Sequence, residues 1–271
     1  MTYNFGYRYI DDFGIEQTEW STNSDYNAVA ALNDERIAVS GIFDCPRRKS
    51  PTERSWDTSV EPFLQAADIA LDPRDISFCF VMKQTDNLSG FKQILIRCNV
   101  LQLNGNYYLV NCKNEISVTP IGNYNRIVVS FNEPTPAIPV LSKVASAGGR
   151  ISIDSYGLTN SFGITYSSVS GINNSGARLE VNTTEPFDIS TYRNMKEISI
   201  DCHMRASTIE ALHGNMLQFQ ALLLKPLSRT LIIYQGNTQY HLPCYFKAGF
   251  KAQYVAEHVV KFVLKLSLIY D

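Results

Sequence analysis

Two acidic pairs and four histidines are the first residues of this 271-residue chain to test for chemistry. Asp11 and Asp12 stand in DDFG, and Asp72 and Asp75 in DPRD. Two carboxylates flanking one bond are what glycoside hydrolysis needs, one as the acid and the other as base or nucleophile. Beside Gly14 and Pro73 a plainer role is favoured, in which the aspartates accept hydrogen bonds from the backbone N–H groups of a turn. Histidine is the usual base and metal ligand. Here His203 falls on a strand, His213 on a helix, His241 in a hairpin and His258 ahead of the last strand, which favours packing or surface roles. The sequence holds no Walker A loop, no GxSxG, no HExxH and no paired Cys/His spacing. The chain is therefore expected not to be an enzyme and to use no cofactor, metal or small-molecule substrate.

Cys45, Cys79, Cys98, Cys112, Cys202 and Cys244 are widely spaced and never form CxxC. Several sit inside apolar runs, so buried free thiols are expected rather than disulfides or a zinc site. One basic cluster remains: Arg47, Arg48, Lys49 and Arg54, with Trp56 close behind. Such a loop suits phosphates and stacked bases. Glu53 and Asp57 interrupt it, however, and a solvated loop or a contact with a neighbouring subunit is the better reading.

The elements that must position these residues are mostly strands. ISFCFVM, QILIRCNVLQLNGNYYLVNC and NRIVVSFNE in the first half answer to KEISIDCHM, RTLIIYQGNTQYHLPCYF and VVKFVLKLSL in the second. Near the C-terminus Val260, Phe262, Leu264, Leu266 and Leu268 share one face, and Lys261, Val263, Lys265 and Ser267 the other. Ile127, Val129 and Phe131 alternate with Arg126, Ser130 and Asn132 in the same way. Each strand thus predicts one face on a core and one largely wet.

Several markers recur in order. DDFG at Asp11 answers to DSYG at Asp154, and an EPF corner at Glu61 to another at Glu185. Each half has a hairpin with a Gly-Asn turn and a tyrosine four residues ahead of a cysteine, Tyr108 with Cys112 and Tyr240 with Cys244. In the second half ASTIEALHGNMLQFQALLLKP reads as an amphipathic helix with Ser207 and Glu210 at capping-box spacing. Gly214 inside it suggests a close neighbour. TDNLSGFKQIL supplies a shorter helix through Leu88, Phe91, Ile94 and Leu95. Ordered markers of this kind indicate an internal duplication. The expected layout is a first β domain over 1–133 with a protruding loop at about 45–62, a Pro/Gly linker over 134–150, and a second β domain over 151–271.

Composition agrees with a folded chain: 45% hydrophobic, 18% charged, net charge −2. Up to Leu141 there are 12 basic against 17 acidic residues, a balance of −5, and after it 12 against 9, a balance of +3. Opposite signs suit head-to-tail contact between copies. With no secretory signal and no apolar run of about 20 residues, folding in the cytoplasm of the producing cell is expected, without a membrane.

This plan, clearest where DSYGL leads to EISIDCHM, a helix ending LLLKP and RTLIIYQGNTQYHLPCYFK, resembles the tail-tube-like proteins of long-tailed bacteriophages and contractile injection systems. The distal tail and baseplate hub proteins are the nearest type. The resemblance implies a mainly β fold with one helix per repeat (α+β), as two tandem tail-tube-like β-sandwich or barrel domains. It also implies a structural virion protein of the tail tip, made in the bacterial host cytoplasm. Such a protein forms a homo-oligomeric ring, trimer or hexamer, around the tail channel, meets the tail tube and other tail-tip proteins, and touches DNA only as passing cargo. Subunit contacts are then expected on the strands near Ile127–Phe131 and Val260–Leu268 and on the loop at Cys45–Pro62. The residues concerned are Arg47, Arg48, Arg54, Trp56, Arg126, Val128, Lys261, Val263 and Lys265. The alternative is a carbohydrate-binding or adhesin-like β-sandwich pair, with Tyr107, Tyr108, Tyr124, Tyr166 and Tyr240 as stacking platforms.

Overall fold

A computed structural model describes residues 2–33, 36–49, 69–113, 116–172, 197–236 and 238–269. The EPF corners at Glu61 and Glu185 lie outside the described residues, as do Arg54, Trp56 and most of the loop at 45–62. The chain is mainly β, in antiparallel sheets, with three α-helices among the described residues. The first half holds β1 (Asn4–Ile10), β2 (Glu16–Thr22), β3 (Val29–Ala30), β4 (Val39–Ser40), β5 (Arg74–Lys83), α1 (Leu88–Arg97), β6 (Val100–Leu103), β7 (Asn106–Leu109), β8 (Asn111–Cys112), β9 (Ser117–Ile121) and β10 (Tyr124–Glu133). The second holds β11 (Ile151–Ile153), β12 (Tyr156–Gly157), α2 (Leu158–Phe162), β13 (Ile164–Ser170), β14 (Glu197–Arg205), α3 (Ile209–Leu223), β15 (Arg229–Gln235), β16 (Thr238–Tyr245), β17 (Gln253–Ala256) and β18 (Val259–Leu268).

In the first half one sheet runs β2-β1-β6-β7. A second is built on β5 and β10, which pair from Arg74 opposite Glu133 to Lys83 opposite Tyr124, with β3 and β4 beyond β5 and β8 and β9 beyond β10. The residues that alternation turns inward make the core between them: Phe5 of the first sheet meets Phe78, Phe80 and Phe131 of the second, with ring centroids 5.6, 6.0 and 6.1 Å away.

Pairing in the second half runs in the same order. β11 turns into β12 and pairs with β15, as β1 turns into β2 and pairs with β6. β15 and β16 form the hairpin, β14 and β18 the long central pair, β13 lies beyond β14, and β17 beyond β18. α3 follows β14 as α1 follows β5. The halves differ at Val110. There the first half breaks into β7 and β8, whereas β16 continues without interruption and reaches β18 at Cys244 opposite Leu268, so the second half is one eight-stranded sheet.

The long strands carry the faces that their alternation predicts. Ile127, Val129 and Phe131 are buried, as are Val260, Phe262, Leu264, Leu266 and Leu268, while Lys261, Val263 and Lys265 are exposed; Ser267 departs by being buried. Three local expectations move. The first hairpin turns on Asn104-Gly105, with φ 50° and 78°, one residue earlier than Gly-Asn, because Leu103 pairs with Asn106. Thr208 rather than Ser207 caps α3, accepting from the Ala211 N–H at 3.1 Å. Gly214 has no close neighbour, since a Cβ there would meet nothing within 4 Å. All six cysteines are free, and Cys112 alone of them is not buried.

The segment between the halves is held down. Gln218 on α3 accepts from the Ser142 and Lys143 N–H groups at 2.8 and 2.9 Å and donates to the Val140 carbonyl at 3.0 Å. Lys143 Nζ donates to Asn215 Oδ1 at 2.8 Å. One side chain therefore satisfies three backbone groups of the linker and lays it along α3.

Candidate assembly surface

Strand ladders stay within each half, and the halves meet through side chains and a few backbone hydrogen bonds, among them that from the Arg48 N–H to the Lys247 carbonyl at 3.0 Å. Cys45 and Phe250 exchange both backbone hydrogen bonds at 2.9 Å. The Gln220 amide of α3 donates to the Asp44 carbonyl at 3.2 Å, and Asp44 Oδ1 accepts from the Ala252 N–H at 2.8 Å. Arg48 donates to the Leu223 and Lys225 carbonyls at 3.3 and 2.7 Å, where the end of α3 leaves carbonyls without helical partners.

Beside this lies a buried polar group. His213 Nε2 is 2.9 Å from Tyr108 Oη and Nδ1 is 3.2 Å from Asn104 Nδ2. A neutral ring satisfies both: the Asn104 amide donates to Nδ1, and the Nε2–H donates to the phenol. Burial, with the Arg74 charge behind it, pushes the His213 pKa down to about 4. Burial also raises Tyr108, to about 12. Arg74 stacks over the Tyr108 ring with its guanidinium carbon 5.3 Å from the centroid. It donates twice to Glu133 Oε2, at 2.6 and 2.9 Å, and once to the Asp44 carbonyl at 3.2 Å. Arg74 and Glu133 stand opposite each other at one end of the β5–β10 ladder, so the strand register itself places the pair.

Of the residues expected at subunit contacts, Arg48 is 6% exposed and bonds across to the second half. Arg47 is exposed beside it. β10 pairs with β5 along its length and with β8 and β9 on its other side, and β18 pairs with β14 along most of its length and with β17 and β16 near its two ends. Their outward faces remain available. Arg126 and Val128 are half-buried on β10, with Arg126 Nε 3.5 Å from Cys79 Sγ. Lys261, Val263 and Lys265 stand on β18, where Lys265 pairs with Glu197 at 3.2 Å. A groove of about 540 Å³, lined by Asp75 and Ser77 of β5 and by Lys261 and Val263 of β18, joins the two faces on one side of the molecule.

In the acidic pairs, Asp11 and Asp75 are each engaged in hydrogen bonds with neighbouring groups. Asp11 accepts from the Ile15 and Phe13 N–H groups at 2.8 and 3.0 Å and from Gln17 at 3.1 Å. These bonds, that from Ile15 foremost, hold its carboxyl below the usual range. At Asp75 burial works upward, and hydrogen bonds from Lys113 and Asn132 outweigh it to leave the pKa lowered. His203 is half-buried on β14, His241 is exposed on β16, and His258 sits in the β17–β18 turn at φ 56°. No group of three His, Cys, Asp or Glu able to hold a metal occurs among the described residues, and no helix among them is long and apolar enough to cross a membrane. Comparison with family models, curated proteins and solved structures returned no match.

Proposed function

We propose that this chain is a structural subunit of a phage tail tip, of distal tail or baseplate hub type, which assembles into a trimeric or hexameric ring and joins the tail tube to the receptor-binding apparatus. The observation that carries the reading is the common pairing order of the two halves, from the first hairpin through the central strand pair and helix to the last strand. An internal duplication into tandem tube-like domains accounts for that order most simply. The groove that joins the outward faces of β5 and β18 supports it further, since both halves then offer matching faces on one side. In this reading Arg47, Arg126, Val128, Lys261, Val263 and Lys265 face neighbouring subunits or the channel.

Size-exclusion chromatography with light scattering, followed by negative-stain imaging, tests it. A trimer or hexamer with a central hole is the expected result, and a monomer at all concentrations would sink it.

One feature favours glycan binding as the second reading. Tyr107 is 62% exposed and lies against Trp20, with centroids 6.1 Å apart, on the outer face of β2-β1-β6-β7. The Asn4 amide donates to Gln102, and Gln102 donates to the Tyr107 hydroxyl, each at 2.9 Å. Aromatic faces flanked by fixed amides suit a sugar ring. Tyr108 is buried, and Tyr124, Tyr166 and Tyr240 stand on other strands, so the platform would rest on Trp20 and Tyr107 alone. A glycan array positive for a monomeric chain would favour this reading over the ring.

A further inference from the structure

The turn between β1 and β2 carries three large apolar side chains into solvent: Ile10 is 73% exposed, Phe13 89% and Ile15 58%. Their presentation is fixed. The Asp11 carboxylate ties down the N–H groups of Phe13 and Ile15, the Gly14 N–H donates to the Asp11 carbonyl at 2.9 Å, and Gly14 takes φ 77°, a value that glycine adopts without strain. An apolar tip held rigid by its own turn loses little freedom when it is covered.

At the other end of β1, Tyr3 lines an apolar groove of about 620 Å³ between the halves. Leu32, Ile37 and Ile42 form one wall, and Ile209, Tyr254 and Val255 the other. Leu32 and Val255 are themselves exposed. Arg36 and His258 add positive or protonatable groups to the walls; Glu257, also on the wall, lies 3.9 Å from His258 Nε2. The seven steps from Tyr3 to Ile10, at about 3.3 Å each, separate groove and tip by roughly 23 Å.

From this arrangement we propose that the β1–β2 tip of one copy seats in the inter-half groove of the next, with Phe13 as the anchor. The occupant is a second copy for two reasons. Tip and groove are both uncovered apolar surfaces at opposite ends of one strand, so a single head-to-tail contact buries both. Asp12 beside Phe13 is opposite in charge to Arg36 on the groove wall, and the tip belongs to the half with a balance of −5 while the groove draws one wall from the half with +3. A contact of this kind is heterologous and closes into a ring when its rotation permits. The inference rests on the ring-forming reading and assigns the surfaces that make the ring.

Two variants at exposed positions test it. Phe13→Asp spoils the tip and leaves the groove; Leu32→Asp spoils the groove and leaves the tip. By light scattering, each alone is expected to assemble at least tenfold more weakly than the wild type. Mixed in equal amounts, they are expected to form a one-to-one dimer and nothing larger, because only one good contact is left per pair. Wild-type assembly by Phe13→Asp would overturn the inference and leave the ring reading standing, and a mixture that stays monomeric would also overturn it. A wild-type chain that is monomeric at all concentrations would overturn both.

Discussion

Tyr108 Oη of the first-half hairpin and His213 Nε2 of α3 stand 2.9 Å apart in the buried contact between the halves. Because the ring is buried and near Arg74, it stays neutral down to a pKa of about 4, whereas an unfolded histidine takes up a proton near 6.5. Between those values the unfolded chain binds more protons than the native one. Stability is therefore expected to fall as pH drops from about 6.5 to 4, by on the order of 3 kcal/mol from this residue. Denaturant unfolding of the wild type and of His213→Phe at pH 7.5 and 5 checks this. The variant should show a smaller acid loss, and an equal loss in both proteins would refute it.

Glu133 and Arg74 are 3% and 6% exposed at the side chain. Glu133→Ala leaves the guanidinium buried with the Asp44 carbonyl and the Tyr108 ring as its remaining contacts, and should cost about 3–5 kcal/mol. Arg74→Met with Glu133→Leu removes both charges and should cost less than the single change. Urea midpoints of the two variants decide the order.

Gly41 and Gly171 occupy matching places ahead of β5 and β14. Their φ values are 86° and 93°, and an added Cβ would lie 2.0 Å from the Asp75 carbonyl oxygen and 2.2 Å from that of Glu197. Alanine at either should destabilise by at least about 1–3 kcal/mol. Gly214→Ala on α3 should do the reverse, by up to about 1 kcal/mol, because the site is open and helical. Thermal melts of the three variants give the signs.

Burial raises the thiol pKa of Cys98, Cys202 and Cys244 to about 12. Cys112 is raised as well, also by burial, but it alone is partly exposed. A native chain treated with a chromogenic disulfide reagent at pH 8 should yield one fast thiol, lost in Cys112→Ser, and six after unfolding. More than one fast native thiol would contradict the burial pattern.

Strand faces were legible because a half-buried strand writes its environment into alternate residues, as Ile127, Val129 and Phe131 do. Register was less so. Ser207 and Thr208 are adjacent hydroxyl residues, and only the helix that follows selects the second as cap. In LNGN both Asn-Gly and Gly-Asn can turn, and the ladder chose the first. The contact between the halves left no sequence signal. Arg48 and Lys225, or Tyr108 and His213, are more than a hundred residues apart, and each reads alone as an ordinary surface or core residue. Arg48 stands in a polar run, and nothing in that run signals the carbonyls at the end of α3 that its guanidinium reaches. The exposed Ile10, Phe13 and Ile15 were visible as letters, but nothing in their spacing said that a turn would point them outward.

Gln218 holding Val140, Ser142 and Lys143 against α3 has a mechanical corollary. A connector laid along the helix has no slack to release, so tension applied across the two ends of the chain reaches the packed halves as shear before the connector can lengthen. Under an optical trap the molecule should yield in a single rip. A chain that spooled its connector out first would instead behave as two beads on a string.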